Sequence, residues 1–283
     1  MISTTHWPRA LSAMRHRNFR LFFVGQLISV IGTWMQSTAQ QWLVYRITGS
    51  QTSLGMVTFI GFLPVLLFSL FMGVVVDRVS RRRLLVFTQS WFMVLAVVLA
   101  ILTATGVVQY WHILVLAGLL GIGNALDMPA RQTFVVELVD QDKGDMMNAI
   151  GLNSSLFNLA RIVGPAVGGA VVAALGEAPA FAINAVTFLA VIAALLLMRL
   201  PAMTTASKQR RPWDNLMDGF RYMKHTRRVL GLVAMVAAFS MVGFGALTLL
   251  PVFAKDILNI GVEGFGKLLS AQGVGALFGA LLL

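Results

Sequence analysis

Long uncharged segments, separated by short clusters of basic residues, divide this chain. Residues 47–76 and 84–126 contain no Asp, Glu, Lys or Arg. Each is longer than the roughly 20 apolar residues that cross a hydrocarbon core of about 30 Å. Charge gaps of this kind predict eight membrane-spanning segments. These are residues 21–45, 54–76, 84–106, 112–130, 148–175, 180–199, 229–253 and 264–283.

The predicted spans are α-helices. Strands of a membrane barrel would give alternating segments of about ten residues, whereas these segments are longer and uniformly apolar. The composition agrees, because 58% of the residues are hydrophobic and only 12% are charged, against about a quarter charged in soluble domains. We therefore expect an all-α integral membrane protein.

Lys and Arg residues gather on alternate sides of the predicted spans. One side holds four basic residues in the N-terminal arm, four at 78–83, two after the fourth span and eight at 199–228. The other side carries Arg46, Lys255 and Lys267. Positive-inside bias then places the N-terminus in the cytoplasm. It also accounts for the net charge of +11, so no nucleic-acid partner is expected.

A polar, basic connector separates two predicted units. Residues 204–211 are small, polar and basic, and the apolar residues within 213–223 recur at helical spacing. This pattern predicts an amphipathic surface helix, which serves either as a linker or as a partner-binding helix. The predicted organisation is a six-helix bundle at 1–200, a linker at 201–228 and two helices of a second bundle at 229–283.

Four short motifs carry a resemblance to a known superfamily. The first two are similar to the signature turn of the major facilitator superfamily and to the motif of its antiporter branch. The last two are most similar to its enterobactin-exporter-like efflux group, also called the transmembrane secretion effector group. The motifs are Gly73-x-x-x-Asp77-Arg78-x-Ser80-Arg81-Arg82, Gly164-Pro165-x-x-Gly168-Gly169, Asn124-Ala-x-Asp127-x-Pro129-Ala130-Arg131-Gln132 and Asn148-Ala149.

The resemblance implies a secondary transporter with twelve helices in two six-helix bundles. Such a protein exports amphipathic small molecules, such as siderophores or drugs, across the bacterial inner membrane by alternating access. An ion gradient drives it, and proton coupling is left open. The expected partners are a small-molecule substrate and the lipid bilayer, with no obligate protein partner. Two alternatives remain: an uptake carrier of the same superfamily, and a C-terminally truncated membrane fragment that cannot transport.

The signature turn is expected to act as a gate that stabilises one of two access states. Its glycine would let helices approach closely, its carboxylate would accept N–H bonds or pair with a cation, and its arginines would hold the turn in the interface. A purely topogenic basic loop is the alternative, although it requires neither the glycine nor the carboxylate. The gating residues are Gly73, Asp77, Arg78, Arg81 and Arg82.

The fifth span combines a proline with glycines, which predicts a bent helix that packs closely against its neighbours. The resemblance implies that this helix seals the inward-facing state against leak. An ordinary small-residue packing seam is the alternative, and the two interpretations overlap. The residues are Gly164, Pro165, Gly168 and Gly169.

Two ionisable residues inside the spans need partners. Asp127 is expected near the cytoplasmic end of the fourth span, where it would pair with Arg81 or Arg78 as a latch. Proton carriage is the alternative role for this carboxylate. Arg161 lies deep in the fifth span, where it would face the cavity or pair with backbone carbonyls and Asn158. Its role would be anion recognition or structural support.

Polar residues recur at steps of three and four along the first span, so they share one face of a helix. They are Gln26, Ser29, Thr33, Gln36 and Gln40. A polar stripe is costly in lipid, so we expect it to line a water-filled cavity, with Gln36 and Gln40 as candidate cavity or coupling residues. Hydrogen bonding between helices is the alternative.

The sequence contains no motif for catalysis or for a cofactor. It has no cysteine, no Gly-rich phosphate loop that ends in Lys-Ser/Thr and no histidine pair at ligand spacing. We therefore expect neither an enzyme nor a bound metal or cofactor.

Overall fold

Long helices joined by short connections make up the described part of the protein. The computed structural model describes residues 9–139, 143–199 and 221–282, and these contain no strand. The expectation of an all-α protein is confirmed for them. The helices are α1 (Arg17–Thr48), α2 (Gln51–Arg78), α3 (Arg81–Ala104), α4 (Tyr110–Glu137), α5 (Lys143–Leu175), α6 (Glu177–Leu197), α7 (Arg227–Thr248) and α8 (Gly261–Leu282).

Five helices in the described ranges are long and apolar enough to cross a membrane. Membrane-spanning helices are therefore confirmed, whereas the count of eight spans stays a prediction. The five segments are Gln51–Ser69, Arg81–Ala104, Tyr110–Glu137, Asp145–Leu175 and Glu177–Leu197.

The turns that separate the first three helices are two residues long. Gly49 ends α1 with a φ of 59°, a left-handed conformation that glycine adopts without steric cost. Ser50 then caps α2, because its side chain accepts a hydrogen bond from the backbone N–H of Ser53. In the turn before α3, Ser80 has a φ of −56°, so a serine fits where the superfamily motif has glycine.

Because consecutive helices reverse direction, the bundle has two distinct ends. The N-terminal end holds the starts of α1, α3 and α5 and the finishes of α2, α4 and α6. A buried cluster that includes Phe22 and Phe134 occupies this end, and a second cluster that includes Leu43 and Phe181 occupies the opposite end. Between them, α1 packs against α5 and α6, α2 against α4, and α3 against α4 and α6.

Helix α8 packs against α5. The two helices touch from Gly169 to Arg161 along α5, towards the opposite end of the bundle. Nearer the N-terminal end, Ser154 and Ser155 of α5 are exposed, and Phe278 of α8 is 62% exposed.

The predicted linker helix lies largely outside the described residues. Residues 221–225 are helical, and α7 begins directly after them at Arg227. A short helical turn and a π-helical stretch at Phe253–Ile257 connect α7 to α8. The proposed domain boundaries at 1–200, 201–228 and 229–283 stay predictions.

Candidate functional site

A carboxylate is buried between α3 and α4. Asp127 is 0% exposed. It accepts hydrogen bonds from the Thr88 hydroxyl at 2.7 Å and from the Gln89 amide at 2.8 Å. It also forms an ion pair with Arg131, one turn further along α4. Three partners therefore offset the cost of removing this charge from water.

The expected latch between Asp127 and Arg81 is wrong. Arg81 instead donates to the Glu137 carboxylate, with Nη1 to Oε2 at 3.0 Å. The charge gap ended the predicted fourth span at residue 130, whereas α4 continues past Pro129 to Glu137. At 1.5 Å per residue, Asp127 therefore lies about 15 Å from that end of the helix. The carboxylate and the turn arginines are at different depths.

The signature turn ties α3 to two other helices. Besides the bond of Arg81 to Glu137 in α4, Arg82 donates to the backbone carbonyl of Leu196 in α6, at 2.8 Å. Arg78 is exposed. These contacts brace the N-terminal end of the bundle, and the gating role of the arginines stays a prediction.

Within the described residues, the close helix approach expected at Gly73 does not occur. No described atom lies within 4 Å of the position that a Cβ atom would occupy at Gly73, because this face of α2 meets no neighbouring helix there. Asp77 lies in the last turn of α2, but its side chain is outside the described part of the structure. Its gating role stays a prediction.

The N-terminal arm is anchored on the start of α5. Asp145 is 4% exposed, and its Oδ2 lies 2.7 Å from both Arg15 Nε and His16 Nε2. The backbone N–H of Ala13 donates to the Asn148 side chain at 2.9 Å. Our sequence analysis did not identify this anchor, although the Asn148-Ala149 motif marks its position.

The glycines of the fifth-span motif face two different helices. Gly164 and Gly168 lie against α1. A Cβ atom at Gly164 would overlap the Cβ atom of Trp34, and one at Gly168 would lie 2.9 Å from the carbonyl oxygen of Met35. Only glycine permits these backbone approaches, so the predicted close packing of this span is observed.

Gly169 lies against α8 and forms what we call the glycine seam, which consists of Gly169, Gly266 and Gly273. A Cβ atom at Gly169 would lie 3.1 Å from Gly266 Cα, and one at Gly266 would overlap the Pro165 carbonyl. About two turns further along α8, Gly273 approaches the Arg161 carbonyl, which lacks a helical amide partner because residue 165 is proline. The seam joins the two predicted bundles, and its role as a seal stays a prediction.

Arg161 stacks on an aromatic ring and pairs with no carboxylate among the described residues. Its guanidinium carbon lies 5.8 Å from the centroid of the Trp34 ring. The described residues show no contact between Arg161 and Asn158, and the Asn158 amide donates to the Ser154 carbonyl at 3.0 Å. The position leaves both sequence-based alternatives, anion recognition and structural support, open.

The polar residues along α1 differ in how far they are buried. Gln26 is buried at 1% exposure and Thr33 is exposed, whereas Gln36 and Gln40 are half-buried. The carboxamide oxygen of Gln36 accepts a hydrogen bond from Asn184 of α6 at 2.7 Å. The interhelical alternative therefore holds at Gln36, while the cavity-lining role of Gln40 stays a prediction.

Contacts at the opposite end link α1 to the segment between α7 and α8. The Tyr45 hydroxyl donates to Asp256, and Lys255 Nζ lies 5.2 Å from the centroid of the Tyr45 ring. Trp42 and Phe265 stack with their ring centroids 6.2 Å apart. No local sequence pattern could have revealed these pairs, since their members lie more than 200 residues apart in sequence.

Two open grooves lie outside the predicted site residues. One, of about 410 Å³, runs between α2 and α7 and is bordered by Phe59 and Ser240. The other, of about 450 Å³, lies along α8 beside Glu263 and Lys267. The described residues contain no group of three His, Cys, Asp or Glu side chains that could hold a metal ion.

The fold is that of a known transporter class. It resembles the crystal structure of a bacterial homologue of the human lysosomal transporter Spinster, in an inward-facing and unoccupied conformation, with a TM-score of 0.71. The match covers 97% of this chain and 62% of that chain at 15% sequence identity, which shows the fold alone. Residues 8–283 match the transmembrane secretion effector family. The chain belongs to this family of major facilitator transporters.

Curated relatives with named activities are transporters and efflux pumps. The chain is 26% identical to the staphyloferrin A transporter of Staphylococcus aureus, over 93% of this chain and 66% of the relative. It is 29% identical to the multidrug efflux pump Tap of Mycolicibacterium fortuitum, over 92% and 65%. It is 23% identical to macrolide efflux protein A of Streptococcus pyogenes, over 87% and 62%. The chain thus spans less than two thirds of the length of these relatives.

Proposed function

We propose that this chain belongs to a secondary active exporter of amphipathic small molecules that works by alternating access. The relatives that support this proposal are named for a siderophore, for multiple drugs and for macrolides. Two of these names state efflux and the third states transport, and they do not agree on one compound. The proposal therefore commits to a substrate class, driven by an ion gradient across the bacterial inner membrane.

The orientation proposed is N-terminus inside, with the N-terminal end of the bundle at the cytoplasm. The basic side chains of the arm and of the signature turn lie at this end, including Arg15, Arg81 and Arg82. Positive charge of this density favours the cytoplasmic side. Under this orientation the opposite end faces outwards.

The pairing of α5 with α8 is the observation that carries the proposal. Under the proposed orientation, the glycine seam closes the outward half of the contact between these helices. Such a geometry corresponds to an inward-facing state, in which substrate enters from the cytoplasm. Separation of α5 and α8 at the seam would then open the bundle to the outside, as alternating access requires.

Within this scheme the remaining site residues take distinct roles. Gly164 and Gly168 fix α5 on α1, so that α1 and α5 move as one body against α8. The Asp127–Arg131 pair is buried and is the candidate for ion coupling, since intramembrane ionisable groups are costly unless they serve function. The signature turn braces the inward-facing end.

Transport in membrane vesicles tests the proposal. The complete reading frame is expressed in a bacterium that lacks its major efflux pumps, and everted and right-side-out vesicles are prepared. An exporter accumulates fluorescent amphipathic dyes or macrolides in energised everted vesicles, and a protonophore abolishes this accumulation. Accumulation in right-side-out vesicles instead would identify an uptake carrier. No transport of any compound in either orientation would overturn the proposal.

A further inference from the structure

Arg131 and Arg161 both lie in the groove where α1, α4 and α5 meet, each against an aromatic residue of a neighbouring helix. Arg131 of α4 pairs with Asp127, whereas Arg161 of α5 pairs with no carboxylate in the described ranges. The Nε atoms of both guanidinium groups are buried, and neither has a hydrogen-bond partner there. The groove therefore holds a net positive charge and unused hydrogen-bond donors.

Each guanidinium group lies over the ring of an aromatic residue. The carbon of the Arg131 group is 5.6 Å from the Phe157 ring centroid, and that of the Arg161 group is 5.8 Å from the Trp34 ring centroid. Phe157 and Arg161 are four residues apart on α5, so they share one face of that helix. The two cations thus occupy successive levels of a groove bounded by α1, α4 and α5.

Gln26 adds an unpartnered amide at the first of these levels. Its side chain is 99% buried, and neither its carboxamide nitrogen nor its oxygen has a partner among the described residues. One turn before it on α1, Phe22 contacts Phe134 of α4 at a centroid distance of 5.5 Å. Because α1 and α4 are antiparallel, Gln26 lies at the level of Arg131.

This combination favours a bound oxyanion. A guanidinium group without a counterion is costly within a membrane span, and an anion that enters the groove removes that cost. Guanidinium groups bind carboxylates through paired N–H donors, and the Gln26 amide supplies a further donor. The flanking rings offer an apolar surface for the remainder of an amphipathic molecule.

We propose that Arg161, together with Arg131 and Gln26, forms a binding subsite for the carboxylate of an amphipathic substrate. Trp34 and Phe157 contact the apolar part of the same molecule. This inference deepens the proposed export function and rests on it, since it assigns the substrate class to carboxylate-bearing amphipaths. It assigns the anion-recognition role to Arg161.

Binding of a matched pair of probes tests the subsite. The chain is placed in nanodiscs of phosphatidylcholine, and the dissociation constants of 1-naphthaleneacetate and its neutral counterpart 1-naphthaleneacetamide are measured by calorimetry, with empty nanodiscs as the blank. We expect the carboxylate to bind about tenfold more tightly, or more, because charged hydrogen bonds discriminate at this level. Equal affinities for the two probes would overturn the proposal.

Substitutions at Arg161 assign the preference to that side chain. Arg161→Gln removes the charge and should abolish the preference for the carboxylate, while Arg161→Lys should keep part of it. Arg83 is an exposed arginine, and Arg83→Gln changes the net charge equally, so it should leave the preference intact. Retained binding of the neutral amide shows that each variant is folded. A preference for the carboxylate that survives Arg161→Gln would contradict the proposal. If the Arg161→Gln variant fails to fold, the test rests on Arg161→Lys, and a full loss of the preference in that variant would contradict the proposal.

A second set of titrations, in which the lipid is varied, distinguishes a substrate carboxylate from a lipid phosphate as the group that the subsite binds. The titrations are repeated in nanodiscs that contain phosphatidylglycerol, and an unchanged preference supports the substrate assignment. A preference lost only in anionic lipid would overturn it, because the subsite would then belong to a headgroup. Failure here is distinct from failure of export: vesicles that transport neutral dyes while the chain shows no carboxylate preference would refute the subsite alone.

Discussion

The hydroxyl of Tyr45, near the end of α1, donates a hydrogen bond to the carboxylate of Asp256, 211 residues further along the chain. Tyr45 is 5% exposed, whereas Asp256 is exposed. The bond thus fastens the π-helical stretch after α7 onto the first helix. It acts beside the Trp42–Phe265 stack, so two independent contacts hold this end of the structure closed.

Removing the Tyr45 hydroxyl should loosen this closed end. In a chain that carries Val252→Cys as its single cysteine, the thiol sits at a position that is 7% exposed. Adding Tyr45→Phe should raise the rate of its reaction with a charged thiol reagent about two- to tenfold, which corresponds to one hydrogen bond of about 0.5–1.5 kcal/mol. Tyr110→Phe, which removes a bond to Ser53 within the first bundle, is the matched control. Equal rates in all three chains would show that the Tyr45 bond contributes nothing to closure.

The glycine seam should tolerate no side chain. Gly266→Val places a branched group against the Pro165 carbonyl, so we expect a loss of about 1–3 kcal/mol in the free energy of unfolding, as for overpacked interiors. Gly275→Val on the same helix meets open space and serves as the control. Thermal unfolding in detergent measures both variants. Similar midpoints for the two would mean that α5 and α8 do not pack through the seam.

The sequence predicted the helices well because their signal is local. A run of uncharged residues is a property of neighbouring positions, so an all-α fold with long apolar helices could be predicted without knowledge of the packing. The close packing of Gly164 and Gly168 was predicted for the same reason, since proline and glycine restrict or free the backbone wherever they occur. What the sequence could not reveal was the partner helix of each glycine.

The ion-pair partner of Asp127 could not be predicted from the apolar runs alone. Asp127 and Arg81 looked equal in depth because both lie near a change from apolar to charged sequence. The depth of a residue depends on where its helix ends, and α4 ends at Glu137, beyond the apolar run. The partners of Asp127 come from α3 as well as from its own helix. The pair with Arg131 follows the i, i+4 spacing of a single helix, whereas the hydrogen bonds from Thr88 and Gln89 depend on helix packing, which is not a local property.

The polar stripe should react unevenly with a water-soluble thiol reagent. Because the natural chain has no cysteine, single cysteines report their own exposure. We expect Thr33→Cys and Gln40→Cys to react fast, and Gln26→Cys, at 1% exposure, to react less fast but above the slow reference, because the proposed subsite admits small anions. Leu95→Cys in α3, at 7% exposure, is the slow reference. A fast reaction at Gln26 would show that water enters the groove beside α4, and a slow reaction at Gln40 would leave the stripe as a helix contact only.

Exchanging the charges of Arg81 and Glu137 should restore their ion pair, whereas exchanging those of Arg81 and Asp127 should not create one. Arg81→Glu places two carboxylates together at the 3.0 Å contact with Glu137, so it should lower the free energy of unfolding by about 1 kcal/mol, as expected for partly exposed charges. Adding Glu137→Arg should restore most of that loss, because the pair is re-formed in reverse. Thermal unfolding of the single and double variants gives the coupling between the two side chains.

The contrasting exchange combines Arg81→Asp with Asp127→Arg. Here no rescue is expected, because a cation at position 127 would face Arg131 in a site without solvent. Breaking a buried pair typically costs about 3–5 kcal/mol, and the aspartate introduced at position 81 lies about 15 Å too far along the bundle to compensate. Recovery of stability in this double variant, measured in the same unfolding experiment, would show that Asp127 and Arg81 do form a latch. It would contradict the Asp127–Arg131 pair as the main partner of Asp127. Asp127→Asn, which keeps the shape of the side chain, should weaken the pair with Arg131 while the packing between α3 and α4 persists.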